Sequence, residues 1–247
     1  MYEQLTKTMK DLNAVSSKYD PSSSGEFEND LILNWYPKRI IKRIGNVGSL
    51  LELGLGHGFT ATIFSKSCEK HVIVDGASGV IDSFLSRTPD FKGEIVLNYF
   101  EKYETKHTFD VIVLGFVLEH VDDPVMILDR YRRFLAPEGK IYVSVPNAKS
   151  LNRRLGLKMG LIDDIYDLNA NDLLLGHQRQ YCLETLRRDL DKGGFVISHE
   201  EGIYLKPLPL SVLRGLPDSN ANFEAMLEVG IEFPELCVGL LVEATVR

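Results

Sequence analysis

From Gly48 onward, short apolar runs alternate with helix-length amphipathic stretches, and this rhythm limits what the chain can fold into. SLLELG, HVIVD, EIVLNY, FDVIVLGFV and GKIYVSV are the runs; residues 58–68, 78–87 and 121–135 are helix-length pieces between them. A strand that is apolar at nearly every position is covered on both faces. Alternation with helices gives βαβ units, and right-handed crossovers wind them into a doubly wound, mostly parallel sheet. With 247 residues, 44% of them hydrophobic and 26% charged, the chain can bury such a core without disulfides.

The flanks read differently. Residues 1–17 place Tyr2, Leu5, Met9, Leu12 and Val15 at helical spacing, and DPSSSG at 20–25 is a loop. Residues 26–44 resume a helical pattern that Pro37 is expected to break. A helical lid over 1–44 would thus precede a core over 45–247. After Val145 the pattern loosens into a polar stretch. A helix then runs from about Leu183 to Lys192, stopped by Gly193-Gly194, and late strands cover 195–199 and 237–245. Residues 146–182 and 203–232 are the segments expected to wall a substrate pocket.

Charge and cysteine content narrow the partners. A net charge of −7, from 35 acidic against 28 basic residues, offers no general attraction to phosphate backbones or anionic lipid. Neither nucleic acid nor a membrane is expected. Cys68, Cys182 and Cys237 form no C-x-x-C pair, so no disulfide framework or thiolate zinc site is readable, which fits a reduced, cytoplasmic setting. The first residues lack the apolar stretch of a secretory signal, and no apolar run approaches the ~18 residues of a membrane span. Nothing in the pattern sets an oligomeric state.

The first strand runs into Glu52-Leu-Gly54-Leu-Gly56-His-Gly58. Glycines at alternate positions between a strand and a helix allow a tight turn and close approach to a ligand, where free N–H groups gather. The second strand ends in Asp75, 23 residues after Glu52, where an acid can accept from both hydroxyls of a ribose. A pyrophosphate-bearing dinucleotide would want G-x-G-x-x-G. Here the spacing is G-x-G-x-G with Glu52 beside it, which suits a ligand carrying positive charge.

Taken in order, LLELGLGHG, VIVD, FDVIVLGFVLEHVDDP and LAPEGKIYVSVPN resemble a class I S-adenosylmethionine-dependent methyltransferase over roughly residues 45–200. Within that superfamily the chain is most similar to small-molecule enzymes of the ubiquinone-biosynthesis O-methyltransferase type. The resemblance implies a seven-stranded Rossmann-like sheet and S-adenosylmethionine as cofactor. It places Glu52, Gly54, Gly56 and Gly58 along the methionine half and Asp75 on the ribose, with Gly76 and Ala77 beside it. Tyr99 and Phe100 fall by the adenine, Gly115 and Phe116 under the methionine and ribose, and Tyr19 in the lid.

A sulfonium methyl is already activated, so the enzyme aligns a nucleophile and excludes water. A hydroxyl acceptor gains from a general base, and His120 and His177 are the candidates; His57 falls in the glycine loop. Some relatives carry E-x-x-E-H after the fourth strand and bind a divalent ion. Phe116 stands where the first acid would be, and Glu119 with the following aspartates reads as a solvated helix start, so no metal is expected. Arg153, Arg154, Lys158, Arg179, Arg187 and Arg188 read as a salt-bridged surface, the alternative being a grip on an acidic acceptor. The function expected is methyl transfer to a hydroxyl of a small molecule. Alternatives are methyl transfer to a small amine, a non-catalytic cofactor-binding module and a nicotinamide-dependent oxidoreductase.

Overall fold

A computed structural model of the chain describes residues 27–247. Tyr19, the helical pattern over 1–17 and the loop at 20–25 lie outside the described residues.

The elements follow the apolar rhythm. Helix α1 (Phe27–Ile44) leads into β1 (Val47–Leu53), α2 (Phe59–Phe64), β2 (Cys68–Asp75), α3 (Ser78–Arg87), β3 (Glu94–Leu97) and β4 (Phe109–Gly115). Then come α4 (Pro124–Arg132), β5 (Leu135–Pro146), α5 (Leu151–Lys158), α6 (Ala170–Leu174), α7 (Leu183–Lys192) and β6 (Phe195–Ile203). The chain closes with α8 (Leu210–Leu213), α9 (Ser219–Gly230), a 3₁₀ turn and β7 (Gly239–Val246).

The seven strands form one sheet in the order β3-β2-β1-β4-β5-β7-β6. β1 to β5 pair in parallel, and β7 inserts antiparallel between β5 and β6. Alternation along each strand divides the core. Leu51, Leu53, Ile112, Leu114 and Val143 face Ile127 and Tyr131 of α4 and Leu186 and Leu190 of α7. Leu50, Val111, Val113 and Tyr142 face Tyr36 and Ile40 of α1 and Phe64 of α2. Both faces are covered, hence the unbroken apolar runs.

Helix α1 departs from expectation: it passes through Pro37 without ending. Proline withdraws one N–H from the ladder, but Tyr36, Pro37 and Ile40 are buried against the sheet, and that burial holds the helix. Two ion pairs fix it as well. Arg39 grips Glu201 of β6 with both Nε and Nη2, at 2.8 and 2.9 Å, and Arg43 donates to Glu243 of β7 at 2.8 Å. Helices α5, α6, α8 and α9 are not foreseen in the sequence: they fall where its pattern loosens, in residues 146–176 and 203–232. The three cysteines are unpaired, and among the described residues no helix is long and apolar enough to cross a membrane.

Candidate functional site

The strand order reverses between β1 and β4: from β1 the chain steps outward to β2 and β3, then returns to lay β4 on the other side. In an open α/β sheet ligands bind in the crevice at the carboxyl ends of such strands. Here it opens into a cavity of about 650 Å³.

The glycine loop forms one wall. Gly54, Gly56 and Gly58 all have positive φ, at 83°, 50° and 82°, so the turn requires residues without a Cβ. A Cβ on Gly58 would overlap the Phe84 ring of α3. Asp75 ends β2 behind the loop. Its Oδ2 accepts from Leu55 N and its Oδ1 from Ala77 N, both at 2.8 Å. Burial raises its carboxyl above the usual value, against those N–H groups. A carboxylate accepts about four hydrogen bonds, so capacity is left for a ligand hydroxyl beside the N–H groups of Leu55, Gly56 and Ala77, and Asp75 lines the cavity.

Gly54, Gly56, Gly58, Asp75, Gly76, Ala77, Tyr99, Phe100, Gly115, Phe116, His120 and His177 all border this cavity, as does His57. Glu52 does not. It is buried in β1, its Oε1 taking the Thr60 hydroxyl and its Oε2 lying 3.0 Å from His71 Nε2. These contacts tie β1 to α2 and β2. Phe116 holds a left-handed backbone at φ 56° and packs edge-on against the Tyr36 ring, 5.7 Å between centroids. Such strain in a non-glycine residue clusters at ligand sites. Gly115 before it is demanded by contact, because a Cβ there would overlap the Tyr36 hydroxyl.

The far end of the cavity is polar. His120 and His177 meet edge to face, with centroids 4.6 Å apart. They are brought together by a seam between residues 118–122 and 177–179. Gln178 donates from its backbone N–H to the Glu119 carbonyl, and from Nε2 to the His120 carbonyl and to Asp122 Oδ1, at 2.7–2.8 Å. Arg179 donates to the carbonyls of Leu118, Val121 and Asp122. His177 Nδ1 lies 3.3 Å from Asp172 Oδ1, and the His177 N–H donates to the Asp172 carbonyl. Burial, then the neighbouring His177, pulls the His120 imidazole down to about 4.

Glu119 is fully buried and neither of its oxygens has a hydrogen-bond partner. It is not the solvated helix start that the sequence suggests; Asp123 does that work by capping α4 at Met126 N. Burial pushes the Glu119 carboxyl up to about 8, with its own backbone N–H and then Arg179 only partly opposing. One ligand atom each from Glu119, His120 and His177 lie within 4.8 Å of one another. A buried unpartnered carboxylate beside two imidazoles is a donor set that fits a divalent cation.

The basic residues of the 150–190 region are occupied elsewhere. Arg153 donates to the carbonyls of Ile165 and Asp167, Arg154 to that of Lys149, Arg187 pairs with Glu200 and Arg188 with Asp189. Among the described residues no lysine or arginine lines the cavity. The lid expected over 1–44 did not single out the residues of α1 that line the cavity, Asn29, Ile32, Leu33 and Tyr36. An apolar stripe on a helix and a buried tyrosine read as core, and only the reversal point of the sheet could have singled them out.

A glycine-cradled crevice at the β1/β4 reversal, with an acid at the end of β2, defines an α/β domain built to hold a nucleoside-containing ligand. The antiparallel β7 sets it apart from the 3-2-1-4-5-6 sheet of dinucleotide-binding folds. The model of the methyltransferase-domain family matches residues 29–200, and the chain belongs to that family. Among solved structures, the N-methyltransferase NodS from Bradyrhizobium japonicum WM9, in complex with S-adenosyl-L-homocysteine, superposes with a TM-score of 0.62 at 16% identity, over 97% of this chain and 98% of that one. A DhpI-SAM-HEP complex gives 0.61 at 15% identity over 97% and 96%. The glycopeptide N-methyltransferase MtfA gives 0.59 at 14% identity over 87% and 90%. At these identities the likeness is one of fold. No match is found among curated proteins.

Proposed function

We propose that the chain is an S-adenosylmethionine-dependent methyltransferase whose acceptor is a hydroxyl of a small molecule. One observation carries the reading: a single cavity has the glycine loop and Asp75 at one end and Glu119, His120 and His177 at the other. Asp75 would hold the adenosyl ribose, Gly54 to Gly58 and Gly115 the methionine half, and Tyr99 and Phe100 the adenine. The cofactor so held would supply an activated methyl group to the acceptor. The acceptor oxygen attacks in line; the C–O bond forms as the C–S bond breaks, and the electron pair returns to sulfur. The hydroxyl proton leaves toward the polar end, where Asp172 orients His177. Helix α1 and residues 146–182 close the space and exclude water.

The test is calorimetric titration of the purified chain with S-adenosylhomocysteine beside NAD. Micromolar binding of the first, about 8 kcal/mol, and none of the second is expected; NAD binding alone overturns the reading. His177→Ala is expected to lower kcat by roughly 10²–10⁴ with cofactor affinity unchanged. A second reading, transfer to a small amine, is favoured by the cavity wall, which carries Asp75, Glu101, Glu119, Asp122 and Asp172 and, among the described residues, no lysine or arginine. An amine acceptor would leave kcat nearly unchanged in His177→Ala.

A further inference from the structure

We infer that Tyr36 and Phe116 form an aromatic corner that recognises the positive charge of the cofactor's sulfonium, so that the site favours S-adenosylmethionine over the neutral S-adenosylhomocysteine left after transfer. The inference rests on the methyltransferase reading and goes beyond it, because that reading asks only that both ligands bind.

Three observations support it. The first is place. Tyr36 comes from α1, yet its hydroxyl stands over Gly115, where a Cβ would overlap it. Gly115 ends β4, which pairs with β1 up to Leu53, just before the glycine loop. The phenol is thus set at the reversal point of the sheet, on the cavity wall. Burial, then Glu52 and more weakly Glu119, hold the Tyr36 hydroxyl well above its ordinary value, against Thr60. Glu52 lies in the strand that leads to the loop and Glu119 at the polar end, so the ring stands between the two. It stays neutral, in surroundings that disfavour negative charge and favour positive.

The second is shape. Phe116 holds φ at 56°, a conformation that strains a residue bearing a Cβ. Its ring meets that of Tyr36 at 72°, with centroids 5.7 Å apart, and both residues border the cavity. Two rings at a steep angle present a corner that a small cation can enter.

The third is the chemistry of the charge. A buried cation is costly unless something meets it, and a sulfonium has no proton to lose. A carboxylate set against the sulfonium methyl would be a nucleophile for it. An aromatic ring attracts the charge through its quadrupole and does not compete for the methyl. After transfer the sulfur is a neutral thioether, and that attraction is gone. Tyr36 and Phe116 are then specificity-determining residues that favour the charged form of the cofactor over the spent one.

The experiment titrates the full chain calorimetrically with S-adenosylmethionine, S-adenosylhomocysteine and sinefungin, which carries an ammonium-bearing carbon in place of the sulfonium. The wild-type chain should bind both cations at least ~5-fold more tightly than the thioether. Tyr36→Leu and Phe116→Leu should each cut that preference by roughly 3- to 30-fold, the range for a desolvated cation on an aromatic face. Tyr36→Phe keeps the ring and should keep the preference, which separates the ring from its hydroxyl. Circular dichroism and S-adenosylhomocysteine affinity report whether each variant retains its fold and the rest of the cofactor site. A wild-type chain that binds the thioether as tightly as the cations overturns the inference and leaves the methyltransferase reading standing. So does equal weakening of all three ligands in folded Tyr36→Leu and Phe116→Leu, or loss of the preference in Tyr36→Phe. A wild-type chain that binds none of the three overturns the methyltransferase reading, and the inference with it.

Discussion

Gly115 and Tyr36 occupy one another's space, and that contact sets the floor of the cavity. Adding a methyl at Gly115 drives a Cβ into the Tyr36 hydroxyl. Gly115→Ala should therefore cost about 1–3 kcal/mol by overpacking, read by urea unfolding, and should weaken S-adenosylhomocysteine binding as α1 is pushed aside. Removing the nearest atom with Tyr36→Phe in the same chain should return part of the stability, since the ring carbon Cζ still stands 2.9 Å from the added Cβ. Asp75 makes a second residue-scale case. Asp75→Ala removes the acceptor for a ribose and the anchor of Leu55 and Ala77 N–H. Cofactor affinity is expected to fall about 10- to 100-fold, the value of one or two charge-assisted hydrogen bonds. Undiminished affinity would move the ribose elsewhere.

At the level of elements, α1 serves as both wall and clamp. Glu201 is 1% exposed beneath Arg39. Burial raises its carboxyl, but the bonds from Arg39 and His199 outweigh burial and hold it below the ordinary value. A depressed carboxyl contributes stability that is present above the unfolded pKa of about 4.3 and is lost as pH falls through the folded value. Arg39→Ala leaves that charge buried with His199 alone and should cost about 3–5 kcal/mol at pH 7. The buried acid then takes up a proton readily, so the deficit should shrink as pH falls from 7 toward 4. Urea midpoints of both proteins across that range decide it: a deficit independent of pH would mean that Arg39 acts through packing. The sequence concealed this clamp. Arg39 and Arg43 look like solvated helix charges, and their partners lie 162 and 200 residues away. It likewise concealed the continuity of α1, because Pro37 breaks helices unless tertiary burial overrides it. Strands were legible where both faces are buried: LLEL and VIVL could be nothing else.

For the whole molecule, the cofactor half of the site was legible because it is local. Gly54 to Gly58 and Asp75 follow their own strands, and the sheet only brings them side by side. The acceptor half was not. Glu119 stands before Val121-Asp122-Asp123 and reads as part of an acidic helix start, and nothing in the chain announces that Gln178 and Arg179 will bind its backbone. The partners of Glu52, Thr60 and His71, are likewise revealed only by the fold. The cavity gives a global prediction. Saturating S-adenosylhomocysteine at ~100 times its Kd stabilises the native state by about 2.7 kcal/mol. For a chain of this size that is a rise in Tm of roughly 5–10 °C, measurable by thermal scanning; no rise would mean that the described fold does not take the ligand.

The seam between residues 118–122 and 177–179 has one more consequence. With the bridge between Asn147 and Tyr181, it pins both ends of the intervening excursion to the sheet. What lies between, from α5 through α6, is a cassette: its length and content can be exchanged while the strands beneath register no change, since a longer closed loop costs little more than a short one. Descent with altered acceptors needs no new fold here, only a different insert between the same two stitches.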